Sequence, residues 1–585
     1  MLRERDGLWD LTRGDAEDNR SSPQWHGWRN LVLSTALEFN YLSAVITFAW
    51  LVVLPAIVVG LAVPGAIVLA RWKVNAATLI PIQPATALLT LAVLIGALWM
   101  ARPLLAVALD NFWHLHHTLV FPLFVALREA ISIGLERRPS RALDARALYR
   151  LRRTSTVLAA ILLAGGGITL ALAAPFSTSA GLEHLLRPVS VPALARAALG
   201  NALVVLGVST AIASAYWFSR EMSSAIPVFN WTPGPPVEGA RTYRIAHVSD
   251  PHLVGERYGY RMESGTNGPC GNDRAKDAFR RLDAMQATGA LDRVIVTGDI
   301  TDAGTRAEWL EFLDLVRACP DLRQRLLFVP GNHDVNIVDR TNPGRLDLPW
   351  SVAGALRKLR VILALDAVQG DTVHVVDRAS GAVGCTLGEY LRDGIRPALL
   401  RDLAERGTWR GRWETTRVWD AIFPLVAPPS EQSCGVILLD SNARRHFSLT
   451  NAIGFVTGEQ RRALGAILRS APGAAWIVAV HHHVVEYPFT GPGLQERAGT
   501  VLMNAPDVLR VIARSGRPVV ILHGHRHRDW IGTRGRAVVC SASSATLGDR
   551  GSEGRDERFS IYDIALAPDG GVQVANVERV RDEAR

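Results

Sequence analysis

Four long apolar runs crowd into the first 218 residues of this 585-residue chain, at roughly 43–70, 84–108, 156–175 and 198–218. A helix needs ~20 such residues to cross a hydrocarbon layer of ~30 Å. Only helices and closed barrels satisfy their backbone there. The runs therefore predict an all-α transmembrane region of about four helices and argue against a wholly soluble protein. Pro55 and Pro64 predict a kink or tilt in the first span. Trp50, Trp72, Trp99, Tyr216 and Trp217 fall near proposed ends, where amphipathic rings favour the interface.

Arginine and lysine in the short flanking segments alternate as 5, 2, 8 and 2. Positive residues stay on the cytoplasmic side, so both termini are expected inside, in a multi-pass protein of the cell (inner) membrane. The segment 111–135, broken by Pro122, Arg128 and Glu129, reads as an interfacial or re-entrant helix rather than a fifth span. His114, His116 and His117 within it read as polar anchors. The net charge of +9 suits a surface beside anionic lipid, and no nucleic-acid partner is expected. Cys270, Cys319, Cys385, Cys434 and Cys540 are odd in number and widely spaced. They read as reduced thiols rather than a disulfide framework.

The stretch PVFNWTPGPPVEGA at 227–240 holds four prolines, the composition of a semi-extended spacer. The expected organisation is a cytoplasmic arm at 1–42, a membrane domain at 43–218, a linker at 219–242 and a soluble domain at 243–585. In that last part short apolar, β-branched runs end at Val248, Thr297, Val329, Val480 and Leu522, with helical stretches such as 274–288 and 305–318 between them. Buried strands alternating with helices predict an α/β sandwich.

Each of these runs ends in chemistry. The sequence SDPH supplies Asp250 and His252, GDITD supplies Asp299 and Asp302, and GNHD supplies Asn332, His333 and Asp334. HHH occupies 481–483, and HGHRH supplies His525 and His527. Side chains at strand ends of one sheet converge in a crevice. Carboxylates, an amide oxygen and imidazoles without thiolate suit Mn, Fe or Zn. Seven donors are too many for one tetrahedral ion and enough for two sharing a carboxylate, a centre that lowers the pKa of a bridging water and clamps a phosphoryl group.

In this order the motifs D-P-H, G-D-I-T-D, G-N-H-D, a histidine run and G-H-R-H resemble the calcineurin-like metallophosphoesterase superfamily over about residues 243–547. The resemblance implies a four-layer α-β-β-α domain around two metal ions. It implies Asp250, His252 and His527 on one ion, and Asn332, His482 and His525 on the other, with Asp299 bridging. His333 would assist the leaving oxygen or bind phosphate, oriented by Asp334, and Asp302 would support a ligand. The family's histidine stands two positions before a proline. Placing Val484 there selects His482 and leaves His481 open. Some 150 residues separate Asn332 from this histidine, so an insertion is expected near 335–430, while VILLDSN at 436–442 resembles the family's strand into a D-S turn. Within the insertion, a helix over 406–420 would align Arg406, Arg410, Trp413 and Arg417 on one face beside Trp409, either solvated or against an anionic membrane or phosphate.

Together these features predict a membrane-anchored phosphoesterase. It would hydrolyse a phosphomonoester, phosphodiester or pyrophosphate bond with metal-bound hydroxide. The substrate would be soluble, as in a cyclic-nucleotide-type phosphodiesterase, or lipid-linked. In the other reading the membrane half is a sensor or transporter with a regulated phosphoesterase output.

Overall fold

The computed structural model describes residues 120–121, 123–136, 144–173, 191–223, 226–229, 231–233, 241–264, 268–336, 352–393, 396–430, 433–442, 451–471, 473–486, 502–549, 557–566 and 572–581. The predicted spans at 43–70 and 84–108, and His114, His116 and His117, lie outside them. Two units are present, one built chiefly before Ser224 and the other after it.

The first unit contains α1 (Ala145–Ala173) and α2 (Val191–Met222). Within them, Arg146–Ala173 and Leu203–Met222 are long and apolar enough to cross a membrane, by length and composition. Ile161, Leu162, Leu172 and Ile212 are exposed. The helices meet at Gly167 and Gly207, where an added Cβ would stand 2.5 Å from Gly207 O and 2.4 Å from Gly167 O respectively. Small residues allow this backbone approach, a common device where apolar helices pack. Residues 123–136 are also helical. Glu129 there is fully buried and accepts from Arg128 Nε at 3.0 Å and from Arg152 Nε and Nη2 at 3.1 and 3.0 Å.

The second unit opens with Val228, which exchanges two 2.8 Å backbone hydrogen bonds with Thr533. The start of the proline-rich stretch thus joins the domain edge instead of running free. There follow β1 (Arg241–Val248), α3 (Asp273–Ala287), β2 (Arg293–Val296), α4 (Arg306–Arg317) and β3 (Leu326–Phe328). Thr305 starts α4 with a reciprocal cap: its side chain accepts from Glu308 N while the Glu308 carboxylate takes the Thr305 N–H. The predicted insertion contributes α5 (Ala353–Gln369), β4 (His374–Val376), β5 (Val383–Thr386), α6 (Pro397–Arg406), α7 (Trp409–Ile422) and β6 (Leu425–Ala427). Then come β7 (Gly435–Leu438), α8 (Gly458–Ser470), β8 (Trp476–Ala479), α9 (Ala505–Ser515), β9 (Val519–His523), β10 (Trp530–Arg534), β11 (Ala537–Ser541), β12 (Glu557–Leu566) and β13 (Val572–Arg581).

Two sheets result, ordered β13-β12-β1-β2-β3 and β10-β11-β9-β8-β7-β6-β4-β5. Strand alternation explains why β7 and β8 are apolar throughout. Val436, Leu438, Ile477 and Ala479 join the core shared with the first sheet and α3, α4 and α5. Ile437, Leu439, Trp476 and Val478 face the other way, onto Leu464 and Ile467 of α8 and Val508 and Ile512 of α9. This is a mixed α/β fold with two sheets. The insertion is part of it: β6 pairs with β7 and carries β4 and β5 as the sheet's edge. Helix α5 is apolar nearly all round because Val361, Ile362 and Leu365 enter the shared core while Leu356, Leu359 and Leu363 cover α6.

The single helix expected over 406–420 is instead two. Gly407 takes a left-handed φ of 68° and ends α6, so Arg406 belongs to that helix. Thr408 then caps α7. Arg417 turns onto the buried Glu414 at 2.7 Å.

Candidate metal centre

The parallel strands β1, β2 and β3 of the first sheet, and β8 and β9 of the second, deliver the motif residues to one place. Asp250, His252, Asp299, Asn332, His333, His481, His482, His525 and His527 are all buried. Among the described residues, the non-glycine residues with positive φ are Asp250 (51°), His252 (44°), Asp299 (48°), His525 (73°) and His527 (52°). Each is a donor predicted from sequence. Left-handed backbone at a non-glycine residue costs about 1–3 kcal/mol and collects at functional sites.

One cluster comprises Asp250, His252 and His527, with candidate ligand atoms within 4.8 Å of one another. His527 Nε2 lies 3.3 Å from Asp250 Oδ1 and 3.2 Å from His252 Nε2. Asp299 Oδ2 stands 3.8 Å from His252 Nε2 and 3.3 Å from His481 Nε2, so this carboxylate faces both groups. On the second side His481 Nε2 lies 3.1 Å from Asn332 Oδ1 and 3.0 Å from His525 Nδ1. Its Nδ1–H donates to Thr297 O at 2.8 Å, which directs the Nε2 lone pair inward.

Of the two histidines left open by the sequence, His481 is therefore the one against Asp299 and Asn332. His482 also falls with His481 and His525 in a buried cluster whose candidate ligand atoms lie within 4.8 Å of one another, and its Nδ1 meets Ser441 Oγ at 2.8 Å. Adjacent residues beyond a strand end point to different sides. Asp334 also differs from expectation. Its carboxylate accepts from Thr301 N and Oγ1 at 2.8 and 2.6 Å and from Gly331 N at 2.8 Å, holding the loops that carry Asp299 and Asn332. The His333 ring is oriented instead by Asp302 O, 2.7 Å from Nδ1, leaving Nε2 directed towards Glu263 at 3.7 Å. The Asp302 carboxylate, expected as support, lies 3.4 Å from His252 Nδ1.

Other contributors carry no motif signal. Arg261 Nε donates to His252 O at 2.8 Å, and its Nη2 reaches Gly271 O. Ser249 Oγ donates to Asp250 Oδ2, and Thr297 Oγ1 to Ser249 Oγ at 2.7 Å. Such hydroxyls are too common in sequence to single out.

Electrostatics match cation binding. Burial alone would raise Asp250 and Asp299, yet His527 holds the first, and His481, His333 and His252 the second, well below the usual carboxylate range. Burial would lower His252 and His481, but Asp302 and Asp299 push His252 to about 9 and Asp299 pushes His481 to about 9. These imidazoles hold protons where a cation would displace them. Burial, with His481 nearby, takes His525 down to about 3, leaving it neutral. Imidazole nitrogens facing one another at 3.0–3.2 Å, with an amide oxygen and carboxylates between them, fit two ions of mixed N/O preference.

The family model for calcineurin-like phosphoesterases matches residues 243–529. This part of the chain belongs to that family. The phosphoesterase domain is similar to a probable cyclic nucleotide phosphodiesterase of Coxiella burnetii, 31% identical over 101 residues, or 17% of this chain and 36% of that protein. The chain thus matches about a third of the length of this curated relative. Among solved structures, a dimetal phosphatase from Danio rerio aligns at 14% identity and a TM-score of 0.32, covering 58% of this chain and 98% of that one. A purple acid phosphatase from yellow lupin aligns at 9% identity and 0.26, covering 59% and 55%.

Proposed function

We propose that the chain is a membrane-anchored phosphoesterase with two metal ions, built on a four-layer sandwich and hydrolysing a phosphate ester or pyrophosphate. The observation that carries this reading is the convergence of predicted donors in one buried site, five of them at positive φ. Asp250, His252 and His527 would hold one ion, and Asn332, His481 and His525 the other, with Asp299 shared. Two such ions supply activation of water and neutralisation of phosphate charge. The protein supplies the rest. Asp302 O fixes the His333 ring through Nδ1 and leaves Nε2, 3.7 Å from the Glu263 carboxylate, as the atom that would meet a leaving oxygen. Arg261 and Asp334 keep the ligand loops in place.

Anchoring draws support from the two long apolar helices, their glycine contact and the arginine alternation. With both termini inside, the phosphoesterase domain works in the cytoplasm, and the short chain between Met222 and Arg241 keeps it within several nanometres of the bilayer. That proximity favours a lipid-linked phosphate ester. The similarity to a probable cyclic nucleotide phosphodiesterase favours a soluble diester as the second reading.

The test uses full-length protein in phospholipid nanodiscs, stripped of metal and reloaded with Mn, Fe or Zn. Aryl phosphate mono- and diesters, a cyclic nucleotide and a lipid-linked ester are compared. Hydrolysis should need metal and vanish in Asp299→Ala. Metal-independent turnover would refute the centre, and faster turnover of the cyclic nucleotide would select the second reading.

A further inference from the structure

The hairpin of α6 and α7 is fixed from inside and presents an unusual outer face. Gly411 lets the helices approach: an added Cβ would stand 2.4 Å from Leu399 O and 2.6 Å from Leu403 Cβ. Leu400, Leu403 and Ala404 bury against α5, while Val418, Trp419 and Ile422 of α7 enter the shared core. That leaves Trp409 and Trp413, one turn apart on α7, at 71% and 59% exposure. Among the described residues no other tryptophan is exposed. The Arg410 guanidinium lies 5.4 Å from the centre of the Trp409 ring, and Arg401 and Arg406 are also exposed. Across 396–417, six arginines stand against three acidic residues; Arg417 pairs with the buried Glu414 at 2.7 Å and the exposed Arg406 with Asp402 at 2.6 Å, which leaves a surplus of three positive charges.

Two outward tryptophans on a well-packed helix add nothing to the core. Their rings, apolar with a polar N–H, suit the headgroup boundary of a bilayer. The surplus of arginine matches anionic lipid. We propose that this face docks on an anionic membrane surface, with Trp409 and Trp413 in the interface and Arg406 and Arg410 on lipid phosphates. The inference deepens the membrane-anchored reading, since a bilayer within tether length is what the face would meet.

The test reconstitutes the full chain into phosphatidylcholine vesicles with or without one-third phosphatidylglycerol, with brominated phosphatidylcholine as the fluorescence quencher. Subtracting the emission of Trp409→Phe/Trp413→Phe isolates these two rings. Their emission should be quenched in phosphatidylglycerol vesicles at low salt and recover at high salt. Each of Arg406→Gln and Arg410→Gln should lower the docked-to-free ratio about fivefold, the effect of one charge beside anionic lipid. Unchanged thermal melting shows that the variants are folded. Absence of quenching with phosphatidylglycerol, or equal quenching without it, overturns the proposal. So does a concentration-dependent dimer lost in Trp409→Ser/Trp413→Ser, which would make a second copy the occupant. Alkaline carbonate extraction separates the readings. A chain stripped by carbonate yet quenched in a salt-dependent way keeps the docking face and loses the anchor; an unquenched chain resisting carbonate does the reverse.

Discussion

Gly331→Ala offers a sharp test of how the centre is held. Gly331 has φ −99°, a conformation alanine adopts freely, so backbone strain is not at issue. Space is: an added Cβ would lie 2.1 Å from Asp299 Oδ1 and 2.2 Å from Asp299 N. Contacts below 3.0 Å do not persist, so the carboxylate must retreat by about 1 Å. Its Oδ1 accepts from His333 N at 2.8 Å, and its Oδ2 faces His252 and His481, so the displacement reaches both clusters. Overpacking of this kind costs about 1–3 kcal/mol of stability. Misplacing a catalytic group by about 1 Å costs on the order of 10²-fold in rate. The variant should therefore melt as a folded protein, bind less metal by elemental analysis and lose at least that factor in turnover. Full metal occupancy with unchanged turnover would show that Asp299 does not sit between the ions.

Four other substitutions probe separate parts of the domain. His333→Ala should lower kcat by ~10²–10⁴, the range for general acid–base groups, at unchanged metal content. Metal loss in proportion to activity would make His333 a ligand. His481→Ala should deplete metal more than His482→Ala, because His481 faces Asp299 and Asn332 while His482 meets Ser441; the reverse order would exchange their roles. Glu308 is pushed up to about 8, first by burial and then by Asp302. Its unfolded value is ~4.3, so the folded state binds the extra proton between these values. That stabilisation is complete below pH ~4 and fades as pH rises through 8. The span corresponds to roughly 5 kcal/mol, an upper bound. Chemical denaturation should find Glu308→Gln close to wild type at pH 5 and more stable at pH 9. Parallel curves at both pH values would refute the buried acid.

The centre was legible because its motifs are local. A carboxylate or imidazole within a few residues of a β-branched run lands at a strand end wherever that strand falls in the sheet. Asp250, His252, Asp299, Asn332, His525 and His527 follow this logic. The choice between His481 and His482 does not, because it depends on how the chain turns after β8 ends at Ala479. Asp334 was misread for a related reason. An acid beside His333 in sequence bonds backbone N–H groups of Thr301 and Gly331, which no spacing reveals. The insertion hid its strands because β4 and β6 have three residues each and owe their existence to the sheet edge they join. Helix periodicity over 406–420 missed the break because Gly407 ends one helix in a left-handed turn that only a following cap makes visible.

The strained donors are held by one another's loops, which ties the two sheets together at the site. Asp250 N donates to Gly298 O at 3.1 Å, and His252 N to Asp299 O at 2.9 Å, coupling the ends of β1 and β2. From the second sheet His525 N donates to both Asp250 carboxylate oxygens, at 3.2 and 3.0 Å, and Ser544 Oγ to Asp250 O at 2.7 Å. Gly524, just before His525, has no room for a side chain: its Cβ would stand 1.7 Å from Ser249 Oγ. Packing of apolar side chains would not select left-handed aspartate and histidine, because nearby right-handed or extended conformations bury the same surface without the penalty. What those conformations lose is the direction of the carboxylates and imidazoles. The reciprocal backbone bonds therefore stabilise the directions of the candidate donors, and loosening any one loop transmits to candidate donors on the opposite sheet.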